Sequence, residues 1–291
     1  RWRGESQEGR EAVGMGSALG GVLSIAVYTW REGMRKKTLI GFLILSILVI
    51  FGSQFITAFL TTSSDAGSQS ELDVKLIKDI CVTTISIFGM LITIFVSASV
   101  VPTEVDNKVI YTVLSKPVRR FQYLLGKFLG VQFIIVINLV LMGGLFFFAL
   151  YLKERVLPTL LLYSILLTYF QFLIVSAFTF AVSCTANSAV LPTIGGLFIY
   201  ITGNLTEYLK DVYDRSGQTQ GALDTWIGYA AYGLYNVLPN LQYFDLKDQI
   251  LYLASNDAPR DTIFSQLIIY GLLYGLAGYL MSYWIFRRKE L

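Results

Sequence analysis

Very few residues in this 291-residue chain could do chemistry. It has no histidine, so the commonest general base and metal ligand at neutral pH is missing. Cys81 and Cys184 stand far apart and form no CxxC pair, which gives neither a zinc site nor a disulfide framework. Gly126-Lys127 matches the end of a phosphate-binding loop, but that loop also needs a Gly five residues before Gly126 and a Ser or Thr after Lys127. Those positions hold Phe121 and Phe128. The stretch Thr103–Lys127 carries Glu104, Asp106, Lys108, Lys116, Arg119, Arg120 and Lys127. Three amides, Gln54, Asn138 and Gln171, fall within apolar runs, where polar groups must face protein or water. They could line a substrate path or make hydrogen bonds between helices.

The elements that hold these residues follow from composition. Hydrophobic residues make up 54% of the chain, charged residues only 15%, and the mean hydropathy is +0.59. Soluble domains carry about 25% charged residues. A bilayer core about 30 Å thick needs about 20 apolar residues per spanning helix. Charge-free runs of that length cover Thr38–Ser64, Ile80–Thr103, Phe128–Leu152, Val156–Thr206 and Thr262–Phe286. The fourth is 51 residues long, enough for two spans. The polar stretch Ser183–Ser188, followed by Pro192, marks its turn. The expected fold is an all-α integral membrane protein with six transmembrane helices, near 38–60, 80–101, 127–152, 158–183, 189–206 and 263–286. Residues 18–291 form one transmembrane domain. Residues 1–17 read as a flexible tail; 1–14 lack the apolar stretch of a signal peptide, and Met15 is a candidate start.

Basic residues concentrate on cytoplasmic segments. With the N-terminus inside, the inner segments hold 15 Lys/Arg against 7 Asp/Glu, and the outer segments 8 against 13. Both termini are therefore expected in the cytoplasm, in a bacterial inner or plasma membrane. The net charge of +3 gives no nucleic-acid footprint. Before the first span, Leu19, Val22, Leu23, Ala26, Trp30 and Met34 recur at helical spacing, followed by Arg31, Arg35, Lys36 and Lys37. This pattern predicts an amphipathic helix in the inner interface, touching membrane lipids. Residues 207–262 form an outer helical segment. Within it Thr225–Phe244, with Trp226, Tyr229, Tyr232 and Tyr235, reads as an interfacial element that does not cross. Gly271 and Gly275 form a small-xxx-small pattern that suits ordinary helix packing.

The loop between the second and third spans carries the most information. Thr103 followed by Asp106 has the form of a capping box, and Glu104 and Asp106 suit a helix N-terminus. Val105, Val109 and Val113 then line one face. Pro117 disfavours helix at Lys116 and can begin the next one. A short cytoplasmic helix over 104–116 is expected, then a sharp break. Here the chain resembles the membrane subunits of type-2 ABC transporters, the permeases of ABC exporters. Glu104, Ser115, Pro117, Val118, Arg119 or Arg120, Leu125, Gly126 and Lys127 match that family's loop, while its Gly-Thr is replaced by Lys108-Val109. The resemblance covers residues 18–291. It implies that 104–116 is a coupling helix, with Glu104, Val105, Val109, Val113, Pro117, Arg119 and Arg120 serving a separate ABC ATPase subunit, normally in two copies. It also implies a second permease copy or homologue. The chain itself is then no enzyme and holds no cofactor; ATP and magnesium belong to the partner. The competing reading is an ATP-independent carrier or assembly scaffold. Uncharged spans argue against an ion-coupled carrier, which would usually keep an ionisable residue there.

The orientation is testable. A cysteine placed at Asp214 is expected to react with an impermeant thiol reagent on intact cells, and one at Lys116 only after permeabilisation. The opposite pattern would reverse the topology.

Overall fold

The computed structural model describes residues 5–60, 69–106, 120–154, 159–216, 222–245 and 261–288. Among them run ten α-helices: α1 Glu5–Met34, α2 Lys37–Leu60, α3 Gln69–Ser99, α4 Pro102–Asp106, α5 Arg120–Glu154, α6 Thr159–Thr185, α7 Val190–Asn204, α8 Thr206–Ser216, α9 Ala222–Val237 and α10 Asp261–Arg288. Five stretches are long and apolar enough to cross a membrane: Lys37–Phe55, Lys75–Val105, Arg120–Tyr151, Leu161–Thr185 and Phe264–Arg288. They lie on α2, α3 with α4, α5, α6 and α10. Helix α7 is apolar but has only 15 residues, about 22 Å at 1.5 Å per residue.

Specific contacts fix the directions. Phe42 stacks near Phe95, and Ser53 Oγ lies 3.8 Å from Cys81 Sγ, so α3 returns along α2. Gln54 donates to the Ala149 carbonyl at 3.1 Å, which sets α5 parallel to α2. Helix α7 runs back along α6, with Gly196 against Thr179 and Gln171 bonded to Asn204 at 3.4 Å. Helix α10 runs parallel to α6, with Gly271 on Phe170, Gly275 on Leu173 and Gly278 on Ala177. The small-xxx-small pattern is thus internal packing. One end of the bundle consequently collects the start of α2, the ends of α3 and α6, the start of α5 and the end of α10. Arg120 donates to the Arg287 carbonyl there at 3.4 Å. This is the basic end.

Helix α1 lies lengthwise along α5, and the contact works because α5 presents Gly126 and Gly130. A Cβ on Gly126 would meet the Val22 carbonyl at 2.8 Å, and one on Gly130 the Ala26 carbonyl at 2.8 Å. Such close approach suits helices in lipid, where packing replaces the hydrophobic drive. The buried face of α1 is Val22, Thr29 and Gly33, with Ile25 packed beside it. Leu23, also on the apolar stripe, is 62% exposed, as a lipid-facing residue of an interfacial helix would be. The face against the glycines holds small or β-branched residues.

At the other end, α8 and α9 pack against each other. Helix α9 ends at Val237, and a 3-10 turn follows at Gln242–Phe244. Trp226, Tyr229 and Tyr232 on α9 are exposed. The chain then enters the bundle: Leu241 and Phe244 are fully buried, and Leu241 N–H donates to the Gly203 carbonyl at 3.0 Å. The Asn240 N–H donates to the Tyr270 hydroxyl at 2.9 Å. Residues 246–260 of the outer segment lie outside the described residues, as do 1–4 of the N-terminal tail.

Overpacking a tight helix contact typically costs about 1–3 kcal/mol. Gly130→Leu is therefore expected to lower the melting temperature of the detergent-purified protein. Gly144→Leu, at a position with nothing within 4 Å, is expected to leave it unchanged or raise it.

Candidate functional site

The helix of the charged loop begins two residues earlier than its capping box implies. Glu104 N–H and Val105 N–H both bond the Val101 carbonyl, at 3.1 and 3.2 Å, so Pro102 is the first helical residue. Proline suits that position because its φ is already helical and no N–H is lost. Thr103 therefore sits inside the turn. Its hydroxyl bonds back to the Ser99 carbonyl rather than capping the helix.

This register aims Glu104 inward. The residue is 3% exposed. Its two carboxylate oxygens accept from the Tyr123 hydroxyl and from Lys127 Nζ, both on α5. Lys127 is 1% exposed, and its ammonium also lies 4.0 Å from Glu32 on α1. The Tyr28 ring stands 5.3 Å from it. Tyr123 in turn stacks on Phe286 of α10, centroids 5.9 Å apart. Four helices thus meet at one buried ion pair: α1, α4, α5 and α10.

The expected surface residues divide. Glu104 is buried in the knot, and Val105 packs on the core. Arg120 is exposed at the start of α5. Val109, Val113, Pro117 and Arg119, and most of the helix expected over 104–116, lie outside the described residues. The three amides are not gathered together. Gln54 faces α5 and Gln171 faces α7. Asn138 donates to the Ile134 carbonyl of its own helix at 2.9 Å, and its Oδ1 is buried without a hydrogen-bond partner. Both cysteines are buried and neither is in a disulfide.

A family model described as ABC-2 family transporter protein matches residues 23–291, which includes every residue of the knot. The chain belongs to the ABC-2 transporter family. Comparison with curated proteins gives no match. The protein is thus an integral membrane permease of the ABC-2 class, and its family is a transport component rather than a catalyst. In this permease the sequence motif has a structural basis. Gly126 admits α1, Lys127 holds Glu104, and Glu104 fixes the first turn of the loop. Sequence reasoning left Lys127 out of the site and missed the second glycine. The signal was available: Gly126 and Gly130 have the same spacing as Gly271 and Gly275.

Removing one partner of a buried pair costs about 3–5 kcal/mol, because the other charge is left stranded. Glu104→Ala is expected at the lower end, since Glu32 remains near Lys127. The Glu104→Leu/Lys127→Met double variant is expected to recover most of the loss. Thermal unfolding in detergent, compared across the two single variants and the double, measures it.

Proposed function

We propose that this permease moves a substrate outward across the membrane, driven by ATP hydrolysis on a separate ABC ATPase subunit. The observation that carries the reading is the buried Glu104–Lys127–Tyr123 contact at the head of the charged loop. It anchors that loop to α1, α5 and α10, so a push on residues 104–116 would reach the bundle rather than be lost in a slack linker. Two ATPase copies and a second permease copy or homologue complete the assembly. ATP and magnesium bind the partner.

In the same reading α7 serves as the fifth of six spans, completed by the buried segment around Leu241, with α8 and α9 on the outer surface. The basic end of the bundle then faces the cytoplasm, as the positive-inside bias supports, and both termini lie there. The shared end of α2 and α10 is consistent with that parity. The membrane is a bacterial inner or plasma membrane. Gln54, Asn138 and Gln171 are candidates for the substrate path, with Asn138 favoured by its unpartnered oxygen.

Burying an aliphatic side chain in a partner groove is worth about 1.5–3 kcal/mol. The Val109→Asp/Val113→Asp variant touches no span. It is expected to insert normally, yet to lose both the co-purifying ATPase and transport. Retention of the partner together with full transport would remove the coupling role from this segment.

A further inference from the structure

A slot opens between α2 and α3 at the basic end of the bundle, lined by Lys36, Thr38, Leu39, Phe42, Phe95 and Val96. Leu39 and Val96 are buried, and the two phenylalanine rings lie 5.4 Å apart. Lys36 immediately precedes the span Lys37–Phe55. The polar mouth of the slot therefore lies at the membrane surface, and its apolar walls run into the acyl region.

Among the described residues Lys36 makes no ion pair. Its ammonium donates to Ser99 Oγ at 2.8 Å, which is a neutral partner. Among the described residues no carboxylate lies within 4.0 Å of it. Glu104 is engaged by Lys127 and Tyr123, and Glu32 faces Lys127. Burial lowers the Lys36 pKa; Glu32 opposes this, Lys127 adds to it, and Glu104 opposes it. The exposed Arg35 and Lys37 flank the mouth and add positive charge.

These features select one kind of occupant. A free anion would meet the charge but would not cover the Phe95 ring, which is exposed on the acyl side of Lys36. A zwitterionic lipid would cover the ring but bring its own cation to the lysines. An anionic phospholipid satisfies both parts, and basic residues at a membrane surface attract such lipids. We propose that the mouth of this narrow cleft binds an anionic phospholipid, with the phosphate on Lys36 and one acyl chain lying across Phe42 and Phe95. The lipid then bridges the α1–α2 turn and the end of α3, next to the knot at Glu104. The site depends on α2 and α3 spanning the membrane, and not on the ATPase reading.

Native mass spectrometry of the full-length protein in detergent tests it, with palmitoyl-oleoyl phosphatidylglycerol and phosphatidylcholine as probes. The wild type is expected to retain the glycerol lipid over the choline lipid by about fivefold. Lys36→Gln is expected to abolish the preference and Lys36→Arg to keep it. Phe95→Ala, at a partly exposed wall, is expected to weaken retention of both lipids. Should Lys36→Gln fail to fold, the Lys36→Arg and Phe95→Ala variants decide the matter. Equal retention of both lipids, an unchanged preference in Lys36→Gln, or full retention in Phe95→Ala would reduce the slot to an ordinary lipid contact and overturn the proposal. Displacement of the lipid by inorganic phosphate would make it a free-anion site and also overturn it.

Discussion

A carboxylate and an ammonium can leave water together far more cheaply than either can alone. Glu104 and Lys127 impose that constraint on the basic end of this permease. Neither residue reaches solvent, so the first turn of the charged loop and the first turns of α5 must arrive in one arrangement. Tyr123 satisfies the second carboxylate oxygen, and Glu32 brings α1 into the same field. A buried pair of this kind contributes little net stability compared with apolar packing. Its contribution is geometric: each helix that supplies a group has one position from which to supply it.

The glycines of α5 make that geometry reachable. Glu32 comes near Lys127 only because α1 lies almost in backbone contact with Gly126 and Gly130. Larger side chains there would hold α1 outward and separate the charges. Packing and electrostatics therefore act in sequence here. Close approach comes first, and the ion pair then locks the register that close approach allows.

The bundle itself was readable from where the charges are absent, because a stranded charge in lipid is expensive enough to sort the sequence into runs. The turn after α6 was readable too: Ser183–Ser188 is the polar break, and α7 begins at Val190. The knot was not readable. Glu104 and Lys127 look like surface residues in the sequence, since most charged residues are solvated. Their burial depends on α1, whose contact residues stand about 100 positions before Gly126 and carry no periodicity that names their partner. Thr103 looked like a cap because the pattern was complete; the proline beside it had the stronger claim on the helix start. The bounds of α7, by contrast, were legible: the span expected near 189–206 is helical over Val190–Asn204.

The two ends of the bundle differ in how they are held. The basic end is closed by an ion pair, ring stacking and backbone close approach. At the far end, α7 stops beside Gln171, and the gap is filled by Leu241 and Phe244 on a short segment whose backbone N–H groups reach the Gly203 carbonyl and the Tyr270 hydroxyl. Opening the basic end would strand buried charges, whereas this plug buries apolar side chains and the amide of Asn240. Among the described residues the plug around Leu241 is thus the cheaper of the two ends to open, and its amide protons are expected to exchange before those of α5 and α6.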